Sequence, residues 1–334
     1  MQDRCFKIIA GILSIIAFSS FGFPAQAGVL DLTRVGIGAR TLGLGRSQVV
    51  AEDLSSVFVN PANAAALDRF YITSMYSSLN EDVALTLVGA GFPVRDGVVG
   101  IMYLGEGMGG IETTARSGGQ LIPVSTLDYW NRILVASYGW KINSSLLSGL
   151  SLKFFSKNIS GVSGGAGNGV DLDWGMVFEP QPNLRIGFAA QNLLTQDMAN
   201  LNWATGAREE IPANYKMGFS LNVRPELAVM GEADSLGGLH GGAEWKFRKN
   251  LTLRGGMESI PTSKSASTLN YSAGVGLEYQ GFSFDYAYCL DTILGSNSAH
   301  FFSLGFCPNY KEIEMRPILP AGLELTRHSA SCII

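Results

Sequence analysis

The chain has 334 residues, of which 46% are apolar and only 16% are Asp, Glu, Lys or Arg, and its mean hydropathy is +0.18. This composition excludes a disordered chain, which needs more charge and fewer aromatic residues. The net charge of −4 leaves no basic surface for nucleic acid. Repeated apolar runs of about 18 residues are absent, which excludes a helical membrane protein. An apolar chain of this kind must place its hydrophobic residues in an alternating pattern.

The N-terminus has the pattern of an export signal. Two basic residues, Arg4 and Lys7, precede an apolar stretch at 8–18, and a small-residue A-x-A cleavage site ends at Ala27. The alternative is an N-terminal anchor helix, but the apolar run is short for crossing a bilayer. We therefore predict a signal peptide at 1–27 and an exported mature chain.

The segment 28–68 is rich in small residues and has no period of two. Within it, Asn60 is followed by Pro61 and then by a run of small residues that begins at Ala62. Asn is a favoured helix N-cap and Pro is favoured at the first helical position, so a short helix is predicted to start here. An ordinary turn is the alternative for Asn60-Pro61 taken alone. We expect a compact, partly helical segment.

From about residue 70 the apolar residues alternate with polar or small ones. The pattern is clear at 170–179, 214–223, 270–279, 282–288 and 302–306. Such a period places one set of side chains on each face of a sheet. About fourteen segments of roughly ten residues, the length of a tilted membrane-crossing strand, are predicted. Their spans are 69–79, 83–94, 98–107, 127–141, 150–159, 170–179, 184–193, 212–223, 226–234, 239–247, 250–258, 269–279, 282–290 and 299–307.

The connections between these segments alternate in length. The short ones lie at 95–97, 179–183, 224–225, 248–249 and 280–281, and between them fall longer loops at 108–126, 160–169, 194–211, 259–268 and 291–298. Up-and-down outer-membrane barrels have short periplasmic turns and longer outer loops. The exceptions are 80–82 and 235–238, which are short for outer loops, and 142–149, which is long for a periplasmic turn.

A soluble β-sandwich is the alternative to a transmembrane barrel, because its strands also alternate. Large aromatic residues on the apolar face near strand ends favour the barrel, as do charges at strand centres on the opposite face, which suit a wet lumen. These aromatics are Trp174, Tyr215, Trp245, Tyr271 and Tyr279. The charges are Asp173, Lys216, Glu232, Arg254 and Asp285. We predict an all-β fold, an antiparallel up-and-down barrel over 69–307, with the tail 308–334 in the periplasm.

Two stretches, 36–45 and 51–62, resemble the opening of PorV/PorQ-like outer-membrane proteins, which belong with the FadL-type fatty-acid transporters. They read GIGARTLGLG and, after a short spacer, AEDLSSVFVNPA. The resemblance implies a fourteen-stranded barrel whose N-terminal segment folds into the lumen as a hatch that contains Asn60, Pro61 and Ala62. Arg46 and Ser47 stand where the family often has Gly and Ala.

The resemblance also implies a function and a location. We expect a barrel in the outer membrane of a diderm bacterium that passes small hydrophobic molecules such as fatty acids by diffusion, in contact with membrane lipid and without a cofactor. The alternative is an accessory barrel for protein secretion or surface attachment, as PorV-like proteins are, with secretion-system proteins as partners. FadL-like transporters open sideways at a kink in the third strand. Gly100, Gly105 and Gly107 would permit such a kink, and ordinary barrel glycines are the alternative.

Two short motifs suggest enzymes, and neither has the context that an enzyme requires. The G-x-G-x-x-G at 105–110 is not followed by a helix pattern, so a dinucleotide site is not predicted. The G-x-S-x-G around Ser163 lies in a Gly/Ser-rich loop rather than at a strand–helix elbow. The histidines are scattered at 240, 300 and 328 and offer neither a triad nor metal-ligand spacing. We predict that the chain is not an enzyme.

Overall fold

The computed structural model describes residue 32 and residues 36–79, 83–117, 119–194, 201–263, 266–291 and 297–308. The predicted signal peptide and the predicted tail beyond Pro308 lie outside the described residues.

Fourteen antiparallel strands form one closed barrel. The first seven strands are β1 (Tyr71–Leu79), β2 (Val83–Val94), β3 (Gly97–Ser117), β4 (Gln120–Asn143), β5 (Leu146–Ile159), β6 (Ala166–Gln181) and β7 (Leu184–Gln191). The other seven are β10 (Asn214–Arg224), β11 (Leu227–Asp234), β12 (Leu239–Arg248), β13 (Leu251–Ser263), β14 (Ala266–Tyr279), β15 (Phe282–Asp291) and β16 (Asn297–Phe306). The ring closes where β1 pairs with β16. The predicted fold class and strand number are confirmed.

Two further short strands, β8 (Leu201–Trp203) and β9 (Arg208–Glu209), form a small hairpin between β7 and β10. This hairpin lies within the predicted loop 194–211. β8 pairs with the upper part of β6 at Gly167 and Asn168, so it extends the wall there, whereas β7 pairs with β10 lower down.

All six turns at one end of the barrel contain two residues. Both ends of the barrel chain lie at this end, because Tyr71 pairs with Gly91 near the end of β2 and Phe306 pairs with Phe282. The prediction of short turns at one end is therefore confirmed. The connection predicted at 142–149 is wrong in length, because β4 and β5 extend until only residues 144–145 separate them.

The loop predicted at 108–126 is wrong, because β3 and β4 continue as one hairpin. Above Tyr129, which pairs with Ile159 at the end of β5, the two strands pair only with each other, from Ile111–Leu127 to Ser117–Gln120. Both faces of this hairpin are exposed beyond the rim. Its residues have no apolar interior to face, and the period of two that marks the other strands is therefore lost there.

The alternation along the strands sorts side chains between the outside and the lumen as predicted. On β14, Tyr271 is 51% exposed and Leu277 is 48% exposed, whereas Asn270 is 3% exposed and faces inward. Large exposed aromatics stand near both ends of the strands, as interfacial girdles do. Examples are Tyr76, Trp130, Tyr138, Tyr215, Trp245, Tyr271 and Tyr279.

Within the described residues 36–68, which we treat as one hatch, three short helices precede β1. They are the α-helix α1 (Ala39–Leu42) and two 3-10 helices, Leu54–Phe58 and Pro61–Ala66. Within the described chain, no helix is long and apolar enough to cross a membrane.

Candidate functional site

The hatch crosses the lumen from one wall to the opposite one. α1 packs on β14, β15 and β16, and the second 3-10 helix packs on β4, β5 and β6, which lie on the far side of the ring. Nearly every hatch residue from Gly36 to Ala65 is buried. A barrel of fourteen strands would otherwise enclose an open interior, so the hatch is what fills this lumen.

The predicted Asn60-Pro61-Ala62 motif lies inside the barrel and caps the second 3-10 helix. The Asn60 side-chain oxygen accepts a hydrogen bond from the Ala62 backbone N–H at 3.1 Å, and Pro61 occupies the first helical position. The Asn60 side-chain amide donates to the Val49 carbonyl at 2.7 Å. The motif therefore orders the hatch by joining its two halves, and its predicted helix start is confirmed.

The wall glycines that receive the hatch were missed by the sequence analysis. They occupy inward positions, where a Cβ would collide with hatch backbone. On one side, Gly149 faces Pro61 and Ala62, with a built Cβ 2.7 Å from the Ala62 nitrogen. On the other side, the inward glycines of β12 and β13, Gly242 and Gly256, face Leu44 and Gly45. In the sequence, these residues can be recognised as glycines at inward-facing positions of the alternating strand pattern.

Buried ion pairs link α1 to the charged side of the wall. The Arg40 guanidinium makes two contacts of 3.0 Å with the Glu244 carboxylate, one to each oxygen. Arg254 also donates to Glu244, at 2.7 Å, and to Asp285 at 2.5 Å. Burial alone would lower the pKa of Arg40, but the carboxylates of Glu244 and Asp53 outweigh it and raise that pKa above its ordinary value. The guanidinium is thus a fixed positive charge inside the barrel.

Backbone groups of the hatch are also bound by the wall. The Glu232 carboxylate accepts the backbone N–H groups of Gln48 at 2.6 Å and Val49 at 2.8 Å, and Lys216 donates to it at 2.9 Å. Further ion pairs join Arg185 to Glu52 and Arg46 to Glu258.

The inward charges expected to suit a wet lumen are instead paired against the hatch or each other. The wall charges Asp171, Asp173, Arg185 and Arg254 illustrate this difference. All four are buried; Arg185 and Arg254 are ion-paired, and Asp173 pairs with Lys153 at 2.6 Å. The hatch excludes the water that would otherwise solvate them.

The lumen wall formed by β1 to β5 carries one continuous apolar row among polar inward residues such as Asn131 and Lys153. One row of inward side chains runs around five neighbouring strands in direct register, and each is at most 4% exposed. The row consists of Met75, Leu87, Leu104, Ile133 and Phe155. It ends on β6 at Gly169, the partner of Phe155. Polar groups line the interiors of water-filled barrels, so this row distinguishes the lumen from a simple aqueous pore.

The three glycines predicted to kink the third strand lie in regular pairing. Gly100, Gly105 and Gly107 pair with both β2 and β4, and the shift of register falls beyond them, between Met108 and Ile111. Gly105 and Gly107 face outward, where the rings of Tyr103 and Trp130 cover them. A sideways opening at these glycines stays a prediction.

The residues suggested by the enzyme-like motifs are dispersed. Ser163 is exposed in the turn between β5 and β6. His240 lies in the lumen, 3.0 Å from the Gly45 carbonyl, whereas His300 is exposed and contacts Tyr286. Among the residues that the structure describes, no group of three or more His, Cys, Asp or Glu side chains is placed to bind a metal ion.

Comparison with known proteins finds solved structures with a similar fold. No protein-family model and no curated protein matches the sequence. Among solved structures, the chain is similar to the Pseudomonas putida toluene transporter TodX, with 11% identity and a TM-score of 0.62 over 84% of this chain and 100% of that chain.

Two further structures are similar. The Ralstonia pickettii toluene transporter TbuX has 13% identity and a TM-score of 0.56, over 81% of this chain and 98% of that one. A Pseudomonas aeruginosa FadL homologue has 13% identity and a TM-score of 0.55, over 79% of this chain and 97% of that one. At these identities the likeness concerns the fold alone.

Proposed function

We propose that the protein is an outer-membrane channel through which small hydrophobic molecules diffuse. The observation that carries the proposal is the apolar inward row Met75–Leu87–Leu104–Ile133–Phe155, beside a hatch that fills the lumen. Transfer of an apolar molecule from water to an apolar surface lowers its free energy by about 25 cal/mol per Å² of buried surface. A hydrophobic wall therefore favours such solutes, while the hatch blocks the bulk flow of water and polar solutes.

The outer surface of the barrel supports the proposed location. Apolar side chains face outward along the strands, and the N-terminal sequence has the features of an export signal. Among spanning structures, only a closed barrel can present strands to lipid without unpaired backbone groups. The outer membrane of a diderm bacterium fits these features, and diffusion down a gradient requires no cofactor.

The similar structures support the choice of substrate class. Two of them are toluene transporters, and the third is a FadL homologue. We infer a substrate of the same chemical class, an uncharged or weakly polar hydrophobic molecule, and include long-chain fatty acids because of the motif resemblance. The Asn60-Pro61-Ala62 motif would act by positioning the hatch rather than by contacting the substrate.

Two adjacent residues on β2 provide a matched test. Leu87 points inward and is fully buried, whereas its neighbour Val88 points outward and is 50% exposed. Leu87→Asn places an amide in the apolar row, and we expect uptake of radiolabelled toluene or oleate by cells to fall several-fold. Val88→Asn makes a comparable change on the other face and should leave uptake near that of the wild type.

Heat-modifiable migration on a denaturing gel serves as the folding control for both variants. Equal uptake by cells with and without the protein would overturn the proposal. Equal uptake by Leu87→Asn and Val88→Asn, with both barrels folded, would show that the inward row is not the path.

A second function, an accessory barrel for secretion or surface attachment, is favoured by the β3–β4 hairpin. Its tip beyond the rim carries three exposed apolar side chains, Leu121 (69%), Ile122 (45%) and Val124 (62%). Exposed apolar clusters of this kind mark protein-interaction surfaces. Deleting residues 112–126 should reduce the secreted or surface-attached proteins of the cell if this function is correct, and should leave them unchanged if the barrel is only a channel.

A further inference from the structure

An open groove of about 460 Å³ lies on the outer wall of the barrel across β3, β4, β5 and β6. This volume is in the range of small-molecule sites. Its lining comes from two adjacent outward rows of the sheet, each in direct cross-strand register. The two rows differ in chemistry.

The lower row is apolar and half-exposed toward the surroundings of the barrel. Its four members are 37% to 46% exposed. They are Tyr103, Leu134, Phe154 and Val170. At one point the floor is formed by an inward residue, Phe155, because its partner Gly169 has no side chain.

The upper row is polar and carries a single charge. Arg132 pairs with Ser156, which pairs with Asn168, which in turn pairs with Asn202 of β8. Arg132 is the only charged residue among those that line the groove. Its guanidinium lies 5.2 Å from the centre of the Trp130 ring, and within the described ranges no carboxylate forms an ion pair with it.

The boundary between the rows coincides with the upper edge of the apolar belt. Below it, the outward residues of β5 are Leu150, Leu152 and Phe154; above it they are Ser156 and Asn158. An arginine on the lipid face costs about 2–4 kcal/mol at the midplane of a bilayer and about 0–1 near the interface. Arg132 therefore belongs at headgroup depth, with the apolar row at the depth of acyl chains.

We propose that this groove binds one membrane lipid with an anionic phosphate headgroup. The phosphate lies against Arg132 and the amide of Asn168, and an acyl chain lies along Leu134 and Phe154. Arginine suits a phosphate because its planar fork of donors matches the anion, and its contact with Trp130 orients the fork. A lipid is the occupant rather than free phosphate, because half of the lining is apolar and open to the bilayer.

The test measures lipid retention by the purified mature barrel in detergent, using native mass spectrometry. The probes are phosphatidylglycerol and phosphatidylcholine with identical acyl chains. We expect one phosphatidylglycerol to bind the wild type in preference to phosphatidylcholine. Arg132→Gln should weaken phosphatidylglycerol binding by roughly tenfold, as loss of a charge-assisted contact does.

Arg116 supplies the matched control, because it is exposed on the same strand pair but lies outside the groove. Arg116→Gln should bind phosphatidylglycerol like the wild type. Equal loss in both variants would mean that general charge attraction is responsible, and no loss in Arg132→Gln would also overturn the proposal. Displacement of the lipid by millimolar inorganic phosphate would assign the site to a free anion instead.

A second variant keeps the test decisive if Arg132→Gln does not fold as judged by heat-modifiable migration. Phe154→Ser removes an apolar contact and leaves Arg132 in place, so it should weaken binding of phosphatidylglycerol several-fold. Unchanged binding in this folded variant would refute the acyl part of the site. Neither result depends on uptake, so the lipid site and the channel function fail separately.

Discussion

Two adjacent glycines on β13 allow the packing of the hatch to be tested with a single methyl group. Gly256 points into the lumen, and a Cβ built on it would fall on the Gly45 nitrogen and the Leu44 carbonyl carbon, with the Gly45 Cα at 2.8 Å. Gly255 points outward, and a Cβ built there meets nothing within 4 Å. The predicted contrast is therefore between Gly256→Ala and Gly255→Ala.

The expected magnitudes follow from these surroundings. Overpacking a filled interior costs about 1–3 kcal/mol, and the obstacle at Gly256 is backbone, which cannot rotate away as a side chain can. At Gly255 the added methyl group should be neutral or stabilising by up to about 0.5–1 kcal/mol, because alanine loses less conformational freedom than glycine in a strand. The two variants should differ by about 1–4 kcal/mol in the free energy of unfolding.

Two measurements distinguish the outcomes. Urea unfolding followed by tryptophan fluorescence gives the free-energy difference. Limited trypsin digestion reports on the hatch itself, because Arg40 and Arg46 are cleavage sites that are buried in the native barrel. Cleavage after these residues should be faster in Gly256→Ala and unchanged in Gly255→Ala. If both variants are as stable and as protected as the wild type, the hatch backbone does not lie against β13.

Three other substitutions test the hatch and its attachment. Glu244→Gln removes the carboxylate that two buried arginines share, and should lower the free energy of unfolding by about 3–5 kcal/mol. Glu226→Gln, at an exposed turn, is the control, and an equal loss of stability in both variants would contradict the buried network. Gly45→Ala adds a Cβ 2.6 Å from backbone at a φ of +66°, so it should destabilise more than Gly206→Ala, where φ is +85° but the surroundings are open; equal urea midpoints would refute this. Asn60→Ala removes the helix cap and should cost about 1–2 kcal/mol, measured in the same urea titration; a wild-type midpoint would show that the cap is dispensable.

Much of the barrel could be predicted from the sequence where the two faces of a strand differ in chemistry. β14 is an example: its apolar residues face outward and its small or polar ones face inward, so the period of two is visible and the strand is found. The capped helix at Asn60-Pro61 was found for a similar reason, because its determinants are adjacent in the chain.

Contacts between distant parts of the chain could not be predicted in this way. Arg40 and Glu244 are separated by 204 residues, and Gln48 and Glu232 by 184. Neither residue of such a pair carries a local pattern that names its partner. The inward charges were therefore predicted on the correct face, but they were expected to be solvated by water. Only the position of the hatch shows that they are buried and paired.

The strands that alternate least in sequence are the ones that face the apolar part of the lumen. On β2, Leu87 points inward while Val88 points outward, and on β3 Leu104 and Tyr103 do the same. Both faces are apolar, so the period of two disappears although the strand geometry is regular. In a water-filled barrel the inward positions would be polar and the alternation would persist. The loss of alternation at 83–107 is thus itself a property of the interior, because the inward side chains there are as apolar as the outward ones.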